Sequence, residues 1–330
     1  MRAMLRPEQL AAVVMLAACG LAAWGKGPAY TDPARTDEDF PFQGEYAGTV
    51  ATSEGERRVA AQVIALGEGK FRAVGYQGGL PGDGWDRSDR HAVEGRREGD
   101  AVVFRSDELV ATIRDQALTI TTADGRELGK LAKVYRASPT LGAPPPPGAI
   151  VLFDGTHADQ FENGRVTEDG LLLPGCTSKR KFGSCQVHIE FRLPYMPHDR
   201  GQARGNSGIY LQGRYEVQML DSFGLEGKNN ECGGLYELKD PDVNMCLPPL
   251  SWQTYDIDFT AAKYEGDQLV APPRITVRHN GVLIHDNVPL PADRNTRAAP
   301  VRPGREPGPI YLQDHGDPVR YRNIWVVEKS

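Results

Sequence analysis

Apolar and polar residues alternate most regularly between residues 206 and 221. With a three-residue turn at 212–214, this alternation separates a polar face from an apolar face. The polar face would carry Gly208, Tyr210, Glu216 and Gln218, and the apolar face Ile209, Leu211, Tyr215, Val217 and Met219. A two-residue turn at 213–214 would place Glu216 beside Leu211, so the pattern favours the longer turn. A β-bulge at 219–220 would return Asp221 to the side of Glu216.

A second hairpin is predicted around Asn280-Gly281, a dipeptide typical of two-residue type I′ turns. Pairing His279 with Val282 puts His279 and His285 on opposite faces. We therefore do not expect these histidines to bind one metal ion together, and each is interpreted as a structural or surface residue.

The last part of the chain predicts two further strands. In residues 310–316 the alternation places Tyr311, Gln313 and His315 on one face, which could border Glu216. Residues 321–327 then read as a closing strand with Ile324 and Val326 on one side.

Short alternating runs also occupy residues 41–137, at 58–65, 70–76, 101–104 and 118–122, with glycine-rich turns between them. They predict a small β meander or barrel without identifiable chemistry. Residues 138–148 contain four consecutive prolines, which favour a stiff connector and mark a domain boundary. A second β domain is then expected over residues 149–328. The fold class is therefore all-β.

Composition narrows the functional classes. With 330 residues, of which 40% are hydrophobic, the chain can bury one sizeable β domain and a smaller one. The net charge of −6, without clusters of lysine and arginine, argues against a nucleic-acid partner. A neutral sugar remains compatible, and the sequence does not determine the oligomeric state.

Residues 1–25 predict an export signal, because Arg2 and Arg6 precede a short apolar run at 10–24. Residues 16–19 match a bacterial lipobox, which would leave Cys19 acylated as a membrane tether. Cleavage after residues 23–25 would instead release a secreted protein, and a short uncleaved anchor is a third alternative. We expect an exported protein, either a periplasmic or cell-surface lipoprotein or a secreted one.

Four further cysteines fit an oxidising compartment. The shortest loops are closed by disulfides between Cys176 and Cys185 and between Cys232 and Cys246, which are the pairings we predict. Spacings of eight and thirteen residues are poor matches to a zinc site. Four free buried cysteines remain the other alternative.

Glu216, Gln218 and Asp221 place two carboxylates and an amide on one strand, which suggests sugar chemistry, although an ordinary solvated sheet face has the same composition. The polar loop at 221–237 would lie beside this strand. A disulfide between 232 and 246 would hold part of this region in position for substrate, namely Glu231, Tyr236, Glu237 and Asn244. A divalent cation such as calcium, bound by Asp221 and Glu231, is a minor alternative without EF-hand spacing, so we expect no cofactor.

A set of short segments resembles the 3-keto-disaccharide hydrolase family. They occur in the family's order over roughly residues 148–328, at 150–155, 206–210, 215–221, 233–236, 279–281, 285–288, 308–316 and 321–325. The chain is identified as a member of this family on the set as a whole.

The resemblance implies a concanavalin-like jelly-roll β-sandwich whose concave face holds a sugar. The chain also resembles retaining glucanases of that fold, whose catalytic strand reads Glu-x-Asp-x-x-Glu; the corresponding residues here are Glu216, Gln218 and Asp221. Gln218 cannot ionise and Asp221 is shorter than glutamate, so an unmodified double displacement is in doubt.

The resemblance further implies cleavage of glycosides previously oxidised at C3, because a C3 ketone acidifies the C2 hydrogen and a base can then expel the anomeric group. Glu216 is expected to act as base or acid, Asp221 as its counterpart, Gln218 as a holder of a hydroxyl or the ketone, and His315 as a second proton-transfer group. The expected contacts to the oligosaccharide or glycoside substrate are Asn206, Tyr210, Glu231, Glu237, Asn244 and Gln313. A non-catalytic carbohydrate-binding module and a conventional glucanase-like glycosidase are the alternatives.

Overall fold

The computed structural model describes residues 26–88 and 90–329, and its regular elements are almost all β-strands. Short 3₁₀ helices lie at Pro33–Arg35, Phe40–Phe42 and Gly201–Ala203. Within the described ranges, no helix has the length and apolar character needed to cross a membrane. The all-β prediction is confirmed. The predicted export signal and Cys19 lie outside the described residues.

Eight antiparallel strands form a closed barrel, in which each strand pairs with the next and the first pairs with the last. They are β1 (Gly44–Thr52), β2 (Gly55–Ala65), β3 (Lys70–Gln77), β4 (His91–Glu98), β5 (Ala101–Arg105), β6 (Leu109–Arg114), β7 (Ala117–Thr122) and β8 (Glu127–Val134). The runs predicted at 58–65, 70–76, 101–104 and 118–122 fall within β2, β3, β5 and β7, so those strands are confirmed. Alternate side chains such as Tyr46, Phe71 and Phe104 fill the barrel core.

The strands after residue 149 form a five-stranded sheet, a six-stranded sheet and a small ribbon. They are β9 (Ile150–Phe153), β10 (Phe161–Glu162), β11 (Cys176–Phe182), β12 (Cys185–Arg192), β13 (Ser207–Leu211), β14 (Tyr215–Met219), β15 (Trp252–Thr260), β16 (Lys263–Glu265), β17 (Gln268–Ala271), β18 (Arg274–His279), β19 (Val282–Pro289), β20 (Gly308–Leu312) and β21 (Arg320–Glu328). The five-stranded order is β10-β11-β20-β13-β14, and the six-stranded order is β19-β18-β15-β12-β21-β9.

One hydrophobic core contains side chains from both large sheets. Val187, Ile189 and Phe191 of β12 enter it from the six-stranded sheet, and Ile209 and Val217 enter it from the five-stranded sheet. Because side chains alternate along a strand, burying Val217 turns its neighbours Glu216 and Gln218 to the opposite face. The core therefore fixes which face of β14 carries polar groups.

The barrel and the sheets are packed against each other. Ile64 and Val74 of the barrel belong to the core of the sheets, while Tyr195 and Leu250 belong to the core of the barrel. Each half therefore buries apolar surface of the other.

The proline-rich segment crosses the outer face of the six-stranded sheet. The Gly142 amide donates to Glu190 Oε1 at 2.6 Å, and Asn323 Nδ2 donates to the Ala143 carbonyl at 3.0 Å. Burial raises the pKa of Glu190, but His188, whose Nε2 lies 3.6 Å from Glu190 Oε1, and hydrogen bonds from Asn323 and Arg322 outweigh it and lower that pKa to about 2. The segment is therefore anchored to the sheet by buried polar groups.

Both predicted disulfides are wrong, because all four cysteines are free and buried. Cys176 opens β11 and Cys185 opens β12, so the length of β11, about 20 Å at strand spacing, separates them. The thiols of Cys232 and Cys246 are neighbours but are not covalently bonded to each other. Each also has another polar neighbour, because Cys232 Sγ lies 3.2 Å from Tyr255 Oη and Cys246 Sγ lies 3.6 Å from the Leu220 carbonyl oxygen.

The second hairpin is confirmed at its turn but not along its length. His279 pairs with Val282 as predicted, but a register shift then pairs Val277 with His285. Directly paired residues share a face, so His285 lies on the same side as Val277 and His279, and both histidines are buried. The prediction that they face opposite ways is wrong because of this β-bulge.

Candidate active site

The hairpin β13–β14 has the predicted register. Leu211 pairs with Tyr215, Tyr210 with Glu216 and Gly208 with Gln218, around a three-residue turn. The polar face of this hairpin points away from the core between the sheets, so its side chains can meet a ligand.

A cavity of about 330 Å³ lies over this polar face. It is lined by Gln202, Asn206, Glu216, Gln218, Tyr236, Arg297, Ala298, Gln313 and His315. The structure therefore brings together six of the residues predicted at or beside the site, namely Asn206, Glu216, Gln218, Tyr236, Gln313 and His315. Among the described residues that line the cavity, Glu216 is the one acidic side chain.

The Glu216 carboxyl group is almost fully buried, with 2% of the residue exposed. The Tyr210 hydroxyl donates to Glu216 Oε2 at 2.7 Å, and Gln313 Nε2 donates to the Tyr210 hydroxyl at 3.1 Å. Burial raises the pKa of Glu216 to about 8; the Tyr210 hydrogen bond opposes this rise and the charge of Glu237 adds to it. Glu216 can therefore give or accept a proton near neutral pH.

Gly208 provides the space that Glu216 occupies. A Cβ atom at residue 208 would lie 2.2 Å from Glu216 Oε1, well inside contact distance. The absence of a side chain on β13 is therefore what allows the carboxyl group to lie across the sheet face.

Amide side chains form a second group in the cavity. Asn206 Nδ2 donates to the Gln202 carbonyl at 2.8 Å, and Gln218 Nε2 donates to Gln202 Oε1 at 3.2 Å. Asn206 Oδ1 is buried and has no hydrogen-bond partner within residues 26–88 and 90–329. An unpaired buried acceptor is costly, so this oxygen is suited to accept a hydrogen bond from a ligand hydroxyl.

Two irregular segments wall the cavity beside β14, which is an edge strand. The backbone N–H of Gln218 donates to the Gly234 carbonyl at 2.9 Å, and the backbone N–H of Glu216 donates to Thr296 Oγ1 at 3.0 Å. At the rim, Arg297 Nη1 lies 3.3 Å from Glu237 Oε1 in an exposed ion pair. These contacts cover the strand edge and place Tyr236 and Arg297 against the cavity.

His315 follows β20 and reaches the cavity from an exposed loop. Lys26 Nζ donates to the His315 carbonyl at 3.0 Å and to Asp317 Oδ1 at 2.6 Å. Asp317 Oδ2 in turn accepts a hydrogen bond from the backbone N–H of Asn206 at 2.7 Å. Asp317 thus ties the His315 loop to the Asn206 side of the cavity.

Asp221 lies outside the cavity. Strand β14 ends at Met219 and the predicted β-bulge is not formed. Asp221 is buried, and its Oδ2 accepts Arg204 Nε at 2.6 Å. The carboxylate is therefore held in a structural ion pair instead of lying beside Glu216.

The remaining predicted contacts have other positions. Tyr210 is fully buried behind Glu216, and Glu237 is at the rim. Glu231 accepts the Gly227 amide at 2.6 Å, and Asn244 Nδ2 donates to the Ser222 carbonyl at 2.8 Å, so both stabilise loops and neither lines the cavity. Within residues 26–88 and 90–329, no group of three or more His, Cys, Asp or Glu side chains could hold a metal ion.

Gln202, Arg297 and Ala298 line the cavity although the sequence did not predict them there. Gln202 lies four residues before Asn206, and this proximity is a signal that could have included it. Arg297 and Ala298 lie in a segment without hydrophobic periodicity, so no pattern in the sequence indicated that this segment folds over β14.

Comparison with known proteins gives a family match. The model of the 3-keto-alpha-glucoside-1,2-lyase-like domain matches residues 148–327. One solved structure of a "putative glycosyl hydrolase" from Parabacteroides distasonis is 34% identical, covering 56% of this chain and 84% of that one, with a TM-score of 0.49. A second protein so named from that organism is 17% identical over 56% of this chain and 94% of its own, with a TM-score of 0.42. No curated protein matched the chain.

Proposed function

Because this chain belongs to the 3-keto-alpha-glucoside-1,2-lyase-like domain family, we propose that it cleaves glycosides that carry a ketone at C3 of the sugar. The observation that carries the proposal is the state of Glu216. It is the one acidic side chain lining the cavity in the described part of the chain, and its pKa is raised to about 8. A carboxyl group in this state is suited to moving a single proton.

A conventional glycosidase needs two carboxyl groups on either side of the glycosidic bond. In the described residues Asp221 does not supply the second one, because it lies outside the cavity in an ion pair with Arg204. Elimination next to a ketone has a smaller requirement, since one group that removes the C2 proton is enough to start it. The composition of the cavity therefore supports elimination over displacement.

In the proposed reaction, Glu216 takes the C2 proton and the electron pair of the C–H bond forms an enolate with the C3 ketone. The C1–O bond then breaks, its electron pair leaves with the aglycone oxygen, and that oxygen takes a proton. Addition of water to the resulting double bond completes a hydrolysis. His315 and Tyr236 line the same cavity and are the side chains we propose for protonating the leaving oxygen.

The amide groups around Glu216 would bind the uncharged sugar. Gln218 and Gln313 can donate to the enolate oxygen, and the unpaired Asn206 Oδ1 can accept from a sugar hydroxyl. Donors placed where negative charge develops stabilise the transition state more than the ground state.

We further propose that the two large sheets form a concanavalin-like jelly roll, with residues 41–137 and 149–328 as separate domains joined by 138–148. Export guided by residues 1–25, with or without acylation of Cys19, is part of the same proposal. It would bring the enzyme to glycosides outside the cytoplasm.

The test uses the purified protein from residue 26 onward with 3-keto-trehalose and with unoxidised trehalose, following release of 3-keto-glucose and glucose. We expect cleavage of the keto sugar alone, loss of turnover by at least about 100-fold in Glu216→Gln, and a slower reaction when C2 carries deuterium. Glu98→Gln is the matched control, because Glu98 is an exposed barrel carboxylate that does not line the cavity; it should keep its turnover number.

Cleavage of both sugars, or a Glu216→Gln variant with full activity, would contradict the proposal. Binding of the keto sugar without any turnover would favour a carbohydrate-binding module on the same face.

A further inference from the structure

A second cavity, of about 510 Å³, lies between the rim of the barrel and the loop that precedes β15. Its walls are mainly apolar and include Phe40, Pro41, Tyr135, Pro248 and Leu250. It shares no lining residue with the candidate active site. A volume of several hundred Å³ with apolar and aromatic walls and few polar groups is typical of small-molecule sites.

In the part of the chain that the structure describes, Lys133 is the one cation that lines this cavity without a counter-ion. Its Nζ donates to the Pro41 carbonyl at 2.6 Å and lies 5.8 Å from the ring centre of Tyr135. Among the described residues Lys133 takes part in no ion pair. Burial lowers the pKa of Lys133 to about 8, as expected for a half-buried ammonium group that lacks an anionic neighbour.

The other charged groups at the cavity are already paired. Arg136 Nε donates to Glu45 Oε2 at 2.7 Å, so the Glu45 carboxylate is engaged by Arg136. The Tyr135 hydroxyl donates to Gln116 Oε1 at 2.9 Å. Lys133 therefore retains unused donors facing the cavity.

Gln43 provides an independent indication. Only 3% of this residue is exposed, and its Oε1 accepts the Ala65 amide at 3.1 Å. Its Nε2 is buried and has no hydrogen-bond partner among the residues that the structure describes, and Gln43 lines the cavity. A buried amide donor is rarely left unpaired, so a ligand with an acceptor oxygen would satisfy the hydrogen-bonding capacity of Gln43 Nε2.

We propose that this cavity binds an aromatic anion, whose acidic group takes hydrogen bonds from Lys133 Nζ and Gln43 Nε2 and whose ring packs against Tyr135, Phe40 and the prolines. The unpaired groups are both donors and one is a cation, which selects for an anionic acceptor such as a carboxylate or sulfonate. The aromatic and proline walls select for a flat apolar body.

The test uses the purified protein from residue 26 onward and two fluorescent probes. They are 8-anilinonaphthalene-1-sulfonate and its uncharged analogue N-phenyl-1-naphthylamine. We expect Lys133→Met to weaken sulfonate binding about tenfold or more, as for loss of a charge-assisted hydrogen bond, and to leave the uncharged probe unaffected. Lys133→Arg should retain most of the binding. Lys130→Met on the same strand is the matched control, because Lys130 does not line the cavity.

Benzoate should displace the sulfonate probe, and 3-keto-trehalose should not, because it would bind at the other cavity. The proposal is overturned if Lys133→Met binds the sulfonate as tightly as the parent protein. It is also overturned if Lys133→Met weakens the binding of both probes equally while Lys133→Arg weakens the binding of neither. Displacement of the probe by 3-keto-trehalose would also overturn it, since the probe would then occupy the Glu216 cavity.

Discussion

A glutamate in water is ionised at neutral pH, whereas Glu216 is buried beneath the cavity, with a pKa of about 8. Among the described residues its one side-chain donor is the Tyr210 hydroxyl, and this hydrogen bond is too weak to offset the loss of water. The same carboxyl group that is suited to proton transfer is therefore a source of instability in the folded protein.

Replacement of this carboxyl group should stabilise the protein at high pH. Between pH 4.5 and about 8 the folded state keeps a proton that the unfolded state has released, so the free energy of unfolding falls as pH rises. Glu216→Gln should match the parent protein at pH 5 and exceed it by on the order of 3–5 kcal/mol at pH 9. Urea unfolding at both pH values measures this. A variant less stable than the parent at pH 9 would show that Glu216 is not buried as an acid.

Gly208 offers a second test at the same scale. A Cβ atom at residue 208 would displace the Glu216 carboxyl group, so Gly208→Ala should lower the turnover number for 3-keto-trehalose about tenfold or more. Gly75→Ala is the matched control, because a Cβ at that strand glycine meets nothing closer than 3.7 Å. Similar activity in both variants would mean that the position of Glu216 does not matter.

At the scale of elements, the two hairpins show how far alternation predicts a strand pair. In β13–β14 the turn and the alternation agree along the whole hairpin, so the register predicted from Tyr210 and Glu216 is confirmed. In β18–β19 the turn is also as predicted, but a bulge beyond it turns His285 inward. A bulge arises when packing favours it over the regular ladder, so a local pattern does not reveal it.

The bulge has a consequence for acid stability. Burial lowers the pKa of His285 to about 4, so below pH 6.5 the unfolded state binds a proton that the folded state does not. The free energy of unfolding should therefore fall as pH decreases, by about 2 kcal/mol for this residue between pH 7 and pH 5. In urea unfolding, the His285→Gln variant should lose about 2 kcal/mol less stability than the parent protein between pH 7 and pH 5. An equal loss in both proteins would contradict the buried, neutral state of His285.

At the scale of the whole molecule, Arg204 connects the barrel with the candidate active site. Its Nε pairs with Asp221, while its Nη atoms lie 3.4 Å from the Ala65 carbonyl oxygen of the barrel. Arg204 also follows Gln202 and precedes Asn206, two residues of the cavity wall. The barrel thus supports the segment that forms one side of the cavity.

The ion pair between Arg204 and Asp221 should therefore be strongly coupled. Arg204→Met and Asp221→Asn should each destabilise the protein by about 3–5 kcal/mol, because each leaves a buried charge or donor without its partner. The double variant should lose clearly less free energy of unfolding than the two single variants lose together. The exposed pair Arg105 and Glu98 is the control, because the effects of its two single changes should simply add. Simple additivity at Arg204 and Asp221 would contradict the structural role of this pair.

The all-β class, several barrel strands, the register of β13–β14 and the family can all be predicted without a structure, because each depends on local alternation or on short ordered segments. The sequence also singled out Glu216, whose position on the polar face follows from its buried neighbour Val217. The predicted disulfide between Cys176 and Cys185 failed because spacing along the chain does not measure distance between strands, whereas Cys232 and Cys246 are neighbours whose thiols are free. Only the tertiary structure decided that Asp221 leaves the cavity for Arg204, that Gln202 and Arg297 enter it, and that the pKa of Glu216 rises, since each depends on which distant segments pack against β14.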